Sequence, residues 1–152
     1  MASAAKARTL AGPHPVVQVD APAVEAAAFL VRHDQRAVFV VNAEGRLVAV
    51  LSDSMLLRAI LPRYVDEDEV LARVIGHEAS DVLWRRLGER TVGDLLPDEQ
   101  REPPLVDGDA QLTEVASAMV RTNSPLVGVT DDGRLIGGIA LDHLLSHLLQ
   151  RR

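Results

Sequence analysis

Ser52 and Asp53 stand where the apolar run "RLVAVL" gives way to "MLLRAIL". Short hydroxyl and carboxylate side chains at such a boundary have two uses. Their oxygens can bond a free N–H at a helix start, or they can hold a sugar hydroxyl, with Ser52 offering a donor and acceptors. The uses are compatible, because unpaired amides at a helix start also attract phosphate. Gly137 and Gly138 remove two consecutive side chains from a second apolar run. That gap admits either a flat ring against the backbone or a crossing helix at close range. Asp142, a further carboxylate, lies just beyond that run.

The histidines offer less. His143 and His147 are four apart, a spacing at which one helix can hold a metal. On a helical wheel with Leu141 at zero, Leu144, Leu145, Leu148 and Leu149 fall within about 80°, and both histidines near about 200° to 240°. They are therefore expected to face solvent, and with no third ligand in the motif no metal site is assigned. His33 and His77 have no nucleophile motif around them, so an enzyme is not expected. The chain has no cysteine, which removes disulfides, thiolate chemistry and thiolate metal sites. A net charge of −6 opposes binding to a phosphate backbone, so nucleic acid is not an expected partner. No apolar run approaches the 18 or so residues of a membrane span, and the N-terminal stretch lacks the apolar centre of a signal peptide. The chain reads as cytoplasmic.

The elements that must position these residues occur twice. "EGRLVAVLSDSMLL" at 44–57 returns as "DGRLIGGIALDHLL" at 132–145. In the first copy "HPVVQVD" reads as a strand. "APAVEAAAFLVRHD" reads as a helix with Pro22 at its start and Val24, Ala27, Ala28 and Val31 as its apolar face. "AVFVVN" and "RLVAVL" are strands joined at Gly45, and "SDSMLLRAIL" is a helix ending before Pro62. The second copy repeats the order with "PPLVDGD", "AQLTEVASAMVRT", "PLVGVT", "DDGRLIGG" and "ALDHLLSHLLQ". Two β-α-β-β-α units this small bury too little surface alone, so the pair should fold as one body. The unbroken "VFVV" predicts sheets covered on both faces.

Between the copies, Asp66 and Glu69 form a carboxylate capping pair, and Val70, Leu71, Val74 and Ile75 an apolar face. The acidic run 66–69 complements a helix N-terminus. A second helix from about Glu78 to Leu87 follows, with Trp84 either packed on the body or free as a partner contact. The helix-Gly-helix shape has too few basic residues, Arg85, Arg86 and Arg90, for DNA.

The order of elements, "TVGDLLP" before the second copy, Pro125 at its second strand and the acidic-Gly turn before "LIGGI" resemble the tandem cystathionine-β-synthase (CBS) domain family, the Bateman modules. The resemblance runs from about Thr9 to Leu149, with the connection of residues 62–90 longer than is usual. It implies an α+β fold of two repeats packed as a pseudo-twofold pair with a helical insertion. The divisions are a flexible N-terminal tail at 1–8, repeat one at 9–62, the helical insertion at 63–88 and repeat two at 89–152. It further implies a stand-alone regulatory module without catalysis or resident cofactor. Such a module senses AMP, ATP, S-adenosylmethionine or another adenosyl ligand between the repeats and regulates a partner enzyme or transporter in trans. The alternative is a structural interaction module with a degenerate pocket.

In the family a Thr or Ser ending the third strand and an Asp three residues later contact ribose and phosphate. Repeat one keeps Ser52 but has Met55 at the acidic position, and repeat two has Ala140 and His143. Asp53 and Asp142 are acidic but displaced, and one residue on a helix is a turn of about 100°. The expected ligand contacts are therefore Ser52, Asp53, Gly137 and Asp142. A homodimer is expected as well, because "SDSMLLRAIL" and "LDHLLSHLLQ" carry more leucine than small sheets can cover, and because the resemblance implies it.

Overall fold

The structure, a computed structural model, describes residues 5–60, 84–96 and 102–150. Repeat one is built on three strands, β1 (Val16–Gln18), β2 (Ala37–Val41) and β3 (Leu47–Ser52). They lie in the order β1-β2-β3, with β1 parallel and β3 antiparallel to β2. The parallel pair requires a crossover. α2 (Ala23–Arg32) supplies it, starting after Pro22, where the missing proline N–H would have had no helical partner. Gly45 takes φ +79 in the β2–β3 turn, where Asn42 Oδ1 accepts the N–H groups of Glu44 and Arg46. α3 (Asp53–Ile60) closes the repeat.

Repeat two follows the same course through β4 (Leu105–Asp107), α4 (Leu112–Thr122), β5 (Leu126–Asp131), β6 (Arg134–Ala140) and α5 (Leu141–Gln150). Its strand order and directions match those of repeat one. The correspondence extends to single bonds. The Phe39 N–H donates to Pro15 C=O and the Gly128 N–H to Pro104 C=O, and Asp34 and Asn123 both end their helices in the left-handed region.

All five residues of β2 are buried. Val38 and Val40 join Ala26 and Leu30 in a helix-side core, whereas Ala37, Phe39 and Val41 join Val50 and Leu126 in a core between the sheets. This alternation is why the run is apolar throughout. The sheets approach closely at two glycines. A Cβ at Gly138 would lie 2.6 Å from the Phe39 ring, and one at Gly128 would lie 2.9 Å from the Leu47, Leu105 and Leu135 side chains.

The two repeats are tied by an exchange of their leading turns. α1 (Ala7–Leu10) precedes repeat one but sends Ala7 and Leu10 into the core of repeat two, beside Val115, Val127 and Ile139. The Ala7 N–H donates to Ala110 C=O and the Arg8 N–H to Gly108 C=O. The 3-10 turn Gly93–Leu95, with Val92, does the converse. Val92 and Leu95 sit in the core of repeat one, and the Val92 and Gly93 N–H groups donate to Ala21 and Val19 C=O at 2.8 Å.

Three expectations are corrected. Ala7 and Arg8, placed in a flexible tail, belong to this exchanged turn, because Ala7 is small enough to be fully enclosed. On α2 the buried stripe is Ala23, Ala26 and Leu30, while Val31 is 82% exposed. An alanine-rich helix has little to fix which face turns inward, so the sheet decides. On α5 only Leu144 is buried; Leu141, Leu145, Leu148 and Leu149 are exposed, and His147 is half-buried with Nε2 enclosed and unpaired. The capping pair Asp66–Glu69 and the apolar face 70–75 lie outside the described residues. Of the second linking helix, residues 84–88 are helical, with Leu87 in the repeat-one core and Trp84 exposed. Among the described residues no helix is long and apolar enough to cross a membrane.

Candidate functional site

A cleft of about 1180 Å³ opens between the repeats. One wall is β3 with the first turns of α3; the opposite wall is the Pro103–Pro104 approach to β4 and the Asn123–Pro125 link into β5. The α3 side follows from the strand-to-helix junction. The Asp53 N–H still pairs with Arg36 C=O as sheet. From Met55 the chain needs a cap, and Ser52 Oγ supplies it by accepting the Met55 N–H at 3.2 Å. Ser52 Oγ also lies 3.2 Å from Ser54 Oγ. Both hydroxyls line the cleft, and Ser52 is the single buried polar residue among the described ones.

Apolar Val48, Val50 and Met55 flank the hydroxyls, and Arg58, Arg90, Asp94 and Glu102 add charge of both signs. Arg90 donates to Ala59 C=O at the end of α3. Asp94 is held below the ordinary carboxylate range, first by the Thr91 N–H and then by the Thr91 side chain. Arg58 has no hydrogen bond or ion pair among the described residues, so it can meet an incoming group. A cleft that pairs an apolar wall with several convergent polar groups can receive a small molecule.

The four residues expected to act together do not meet. Ser52 lines the cleft; Asp53 does not. The Asp53 carboxylate accepts the Ser54 N–H at 2.7 Å and stands 3.8 Å from Arg36 Nε on the exposed surface. Gly137 and Asp142 are on repeat two. Asp142 Oδ1 accepts the His143 N–H at 2.9 Å, and the open face of Gly137 is taken by the Gly12 C=O and the Ala11 methyl. Sequence reasoning missed Ser54, Arg58, Arg90 and Asp94. For Ser54 a signal was available, since i and i+2 around a cap share the same exposed turn. For Arg90 and Asp94 none was, because the exchanged turn brings them there. Among the described residues no group of three or more His, Asp or Glu side chains could hold a metal.

The repeated unit and the cleft between its copies accord with a family model. The model for the CBS domain matches residues 8–62 and again 92–150. The chain belongs to the CBS domain family. The tandem arrangement makes it a CBS pair, or Bateman module. Among solved structures it is similar to a CBS domain-containing protein of unknown function from Kribbella flavida DSM 17836. The two are 35% identical, with 96% of this chain and 99% of that one covered and a TM-score of 0.83. CBSX2 in complex with AMP is 24% identical with a TM-score of 0.68, covering 97% and 99% of the two chains. The CBS pair of protein MJ0100, in complex with 5′-methylthioadenosine and S-adenosyl-L-methionine, is 16% identical with a TM-score of 0.67, covering 99% and 100%. These last two show likeness of fold. No curated protein matches the sequence.

Proposed function

We propose that this CBS pair is a non-catalytic regulatory module that takes an adenosine nucleotide or other adenosyl ligand in the cleft on repeat one and acts on a partner protein in trans. The observation that carries the reading is the cleft beside Ser52, a buried hydroxyl flanked by Ser54, an unengaged Arg58 and an apolar wall. A ribose hydroxyl leaving water needs a replacement partner, and an unmet group costs roughly 1 to 3 kcal/mol. Ser52 and Ser54 provide that partner, whereas Ala140 at the matching place in repeat two provides none. Solved CBS pairs with AMP, or with methylthioadenosine and S-adenosylmethionine, support this class of ligand. Met55 at the family's acidic position removes one ribose contact, so the ligand is held by the hydroxyls and Arg58.

A thermal-shift series with AMP, ATP, S-adenosylmethionine and methylthioadenosine tests the reading. A saturable rise in melting temperature with one of them is expected; none with any of the four overturns it. A second reading, an interaction module with a degenerate pocket, draws on the exposed leucines of α5. It predicts self-association with no response to any adenosyl compound.

A further inference from the structure

The connections leading into the two sheets differ in length. Residues 11–15 join Leu10 to Val16, whereas residues 96–104 join Leu95 to Leu105. The five-residue connection runs across β6. The Gly12 N–H donates to Gly138 C=O and the Gly138 N–H donates to Gly12 C=O, both at 2.9 Å, along the edge of β6 that β5 leaves free. The Ala11 methyl and Gly12 C=O lie 3.2 and 2.9 Å from where a Gly137 Cβ would be, and His14 Nδ1 lies 3.1 Å from the same point on Gly138. His14 is itself fixed, with Nδ1 3.2 Å from Gly12 O and its ring edge-on to Phe39. In repeat one the residues matching Gly137 and Gly138 are Ala49 and Val50, and both line the open cleft.

We propose that Ala11–His14 is a strap occupying the second cleft in place of a ligand, so that the chain has one ligand site, on repeat one. The count of one site rests on the adenosyl reading above; the presence of the strap does not. The glycine pair then has a definite purpose. A side chain at Gly137 would meet the Gly12 C=O at 2.9 Å and lift the strap from β6, while one at Gly138 would meet the Phe39 ring first and the strap only at the His14 ring. Ala140, with no hydroxyl, lies beside a cleft already filled.

Two readouts on the full chain test this. Amide hydrogen exchange reports on the Gly138 N–H, whose acceptor is the strap, and calorimetric titration with AMP reports stoichiometry. The variants are Ala140→Ser, a four-residue Gly-Ser insertion between Ala11 and Gly12 that equalises the two connections, and the two combined. The parent and Ala140→Ser should bind one AMP and protect the Gly138 amide. The insertion should speed Gly138 exchange at least about tenfold while leaving Val127 and Val129 protected, and the combined variant should bind two AMP. Should the insertion unfold repeat two, Gly137→Ala replaces it, expected to release Gly138 without changing chain length. Two AMP bound to Ala140→Ser alone would overturn the strap, as would a parent Gly138 amide exchanging as fast as in the released variant. If no variant takes up AMP, the titrations are repeated with ATP, S-adenosylmethionine and methylthioadenosine; if none of the four binds, the ligand reading of the first cleft falls and Gly138 exchange alone decides the strap.

Discussion

At the β3–α3 junction the Ser52 hydroxyl accepts the Met55 N–H, pairs with Ser54 Oγ and lines the cleft. Ser52→Ala should therefore cost about 1 kcal/mol of stability through the lost cap. It should also shrink the ligand response, which at 100 times the dissociation constant is about 2.7 kcal/mol for the parent. Paired melts with and without ligand separate the two losses; an undiminished ligand shift in the variant would remove Ser52 from the site. Gly138 carries a different constraint. Its missing Cβ leaves room for Phe39 at 2.6 Å, so Gly138→Ala should destabilise by roughly 1 to 3 kcal/mol. Phe39→Leu added to it should recover part of that loss in denaturant melts, an interaction that independent sites would not show. Asp94 sets a pH dependence. Its folded pKa is depressed below 3.8, so its contribution is full above that value and is lost as pH falls through the folded value. Asp94→Asn should flatten stability against pH below about 4 and leave its slope near neutrality unchanged.

Between elements, the exchanged turns make each repeat depend on the other. Leu10 belongs to the core of repeat two and Leu95 to that of repeat one. Leu10→Ala or Leu95→Ala should cost about 2 to 5 kcal/mol, and should lower one cooperative transition rather than split it. Fragments 1–62 and 89–152 each lack the turn that completes their core, so neither should melt cooperatively by calorimetry. A sharp transition in both would show that the exchange is dispensable. Mixing the two fragments should restore a transition, since the missing turns are then supplied in trans.

For the whole molecule the unanswered surface is α5. Leu141, Leu145, Leu148 and Leu149 are 42 to 67% exposed on one helix, more apolar surface than scattered single exposures would explain. We expect a homodimer that covers it, with light scattering near twice 16.4 kDa at micromolar concentration and an interface on the order of 1,600 Å². Leu145→Glu should return the mass to that of one chain while leaving the far-ultraviolet spectrum unchanged. A parent that scatters as 16.4 kDa would refute the dimer.

Sequence alone determined the repeated β-α-β-β-α order and the two-sided burial of "VFVV", because strand runs, helix caps and turn glycines are local signals and here occur twice. It also placed Ser52 at a cap beside a cleft. It could not decide which face of α2 turns inward, since alanines surround the helix and packing against the sheet makes the choice. Nor could it bring Arg90 and Asp94 to Ser52, or turn Asp53, Gly137 and Asp142 away. Those placements follow from the exchange of Ala7–Leu10 and Gly93–Leu95 and from a five-residue connection drawn across β6. Contacts between residues some ninety positions apart are set by how two cores close on each other, and no local pattern records that closure.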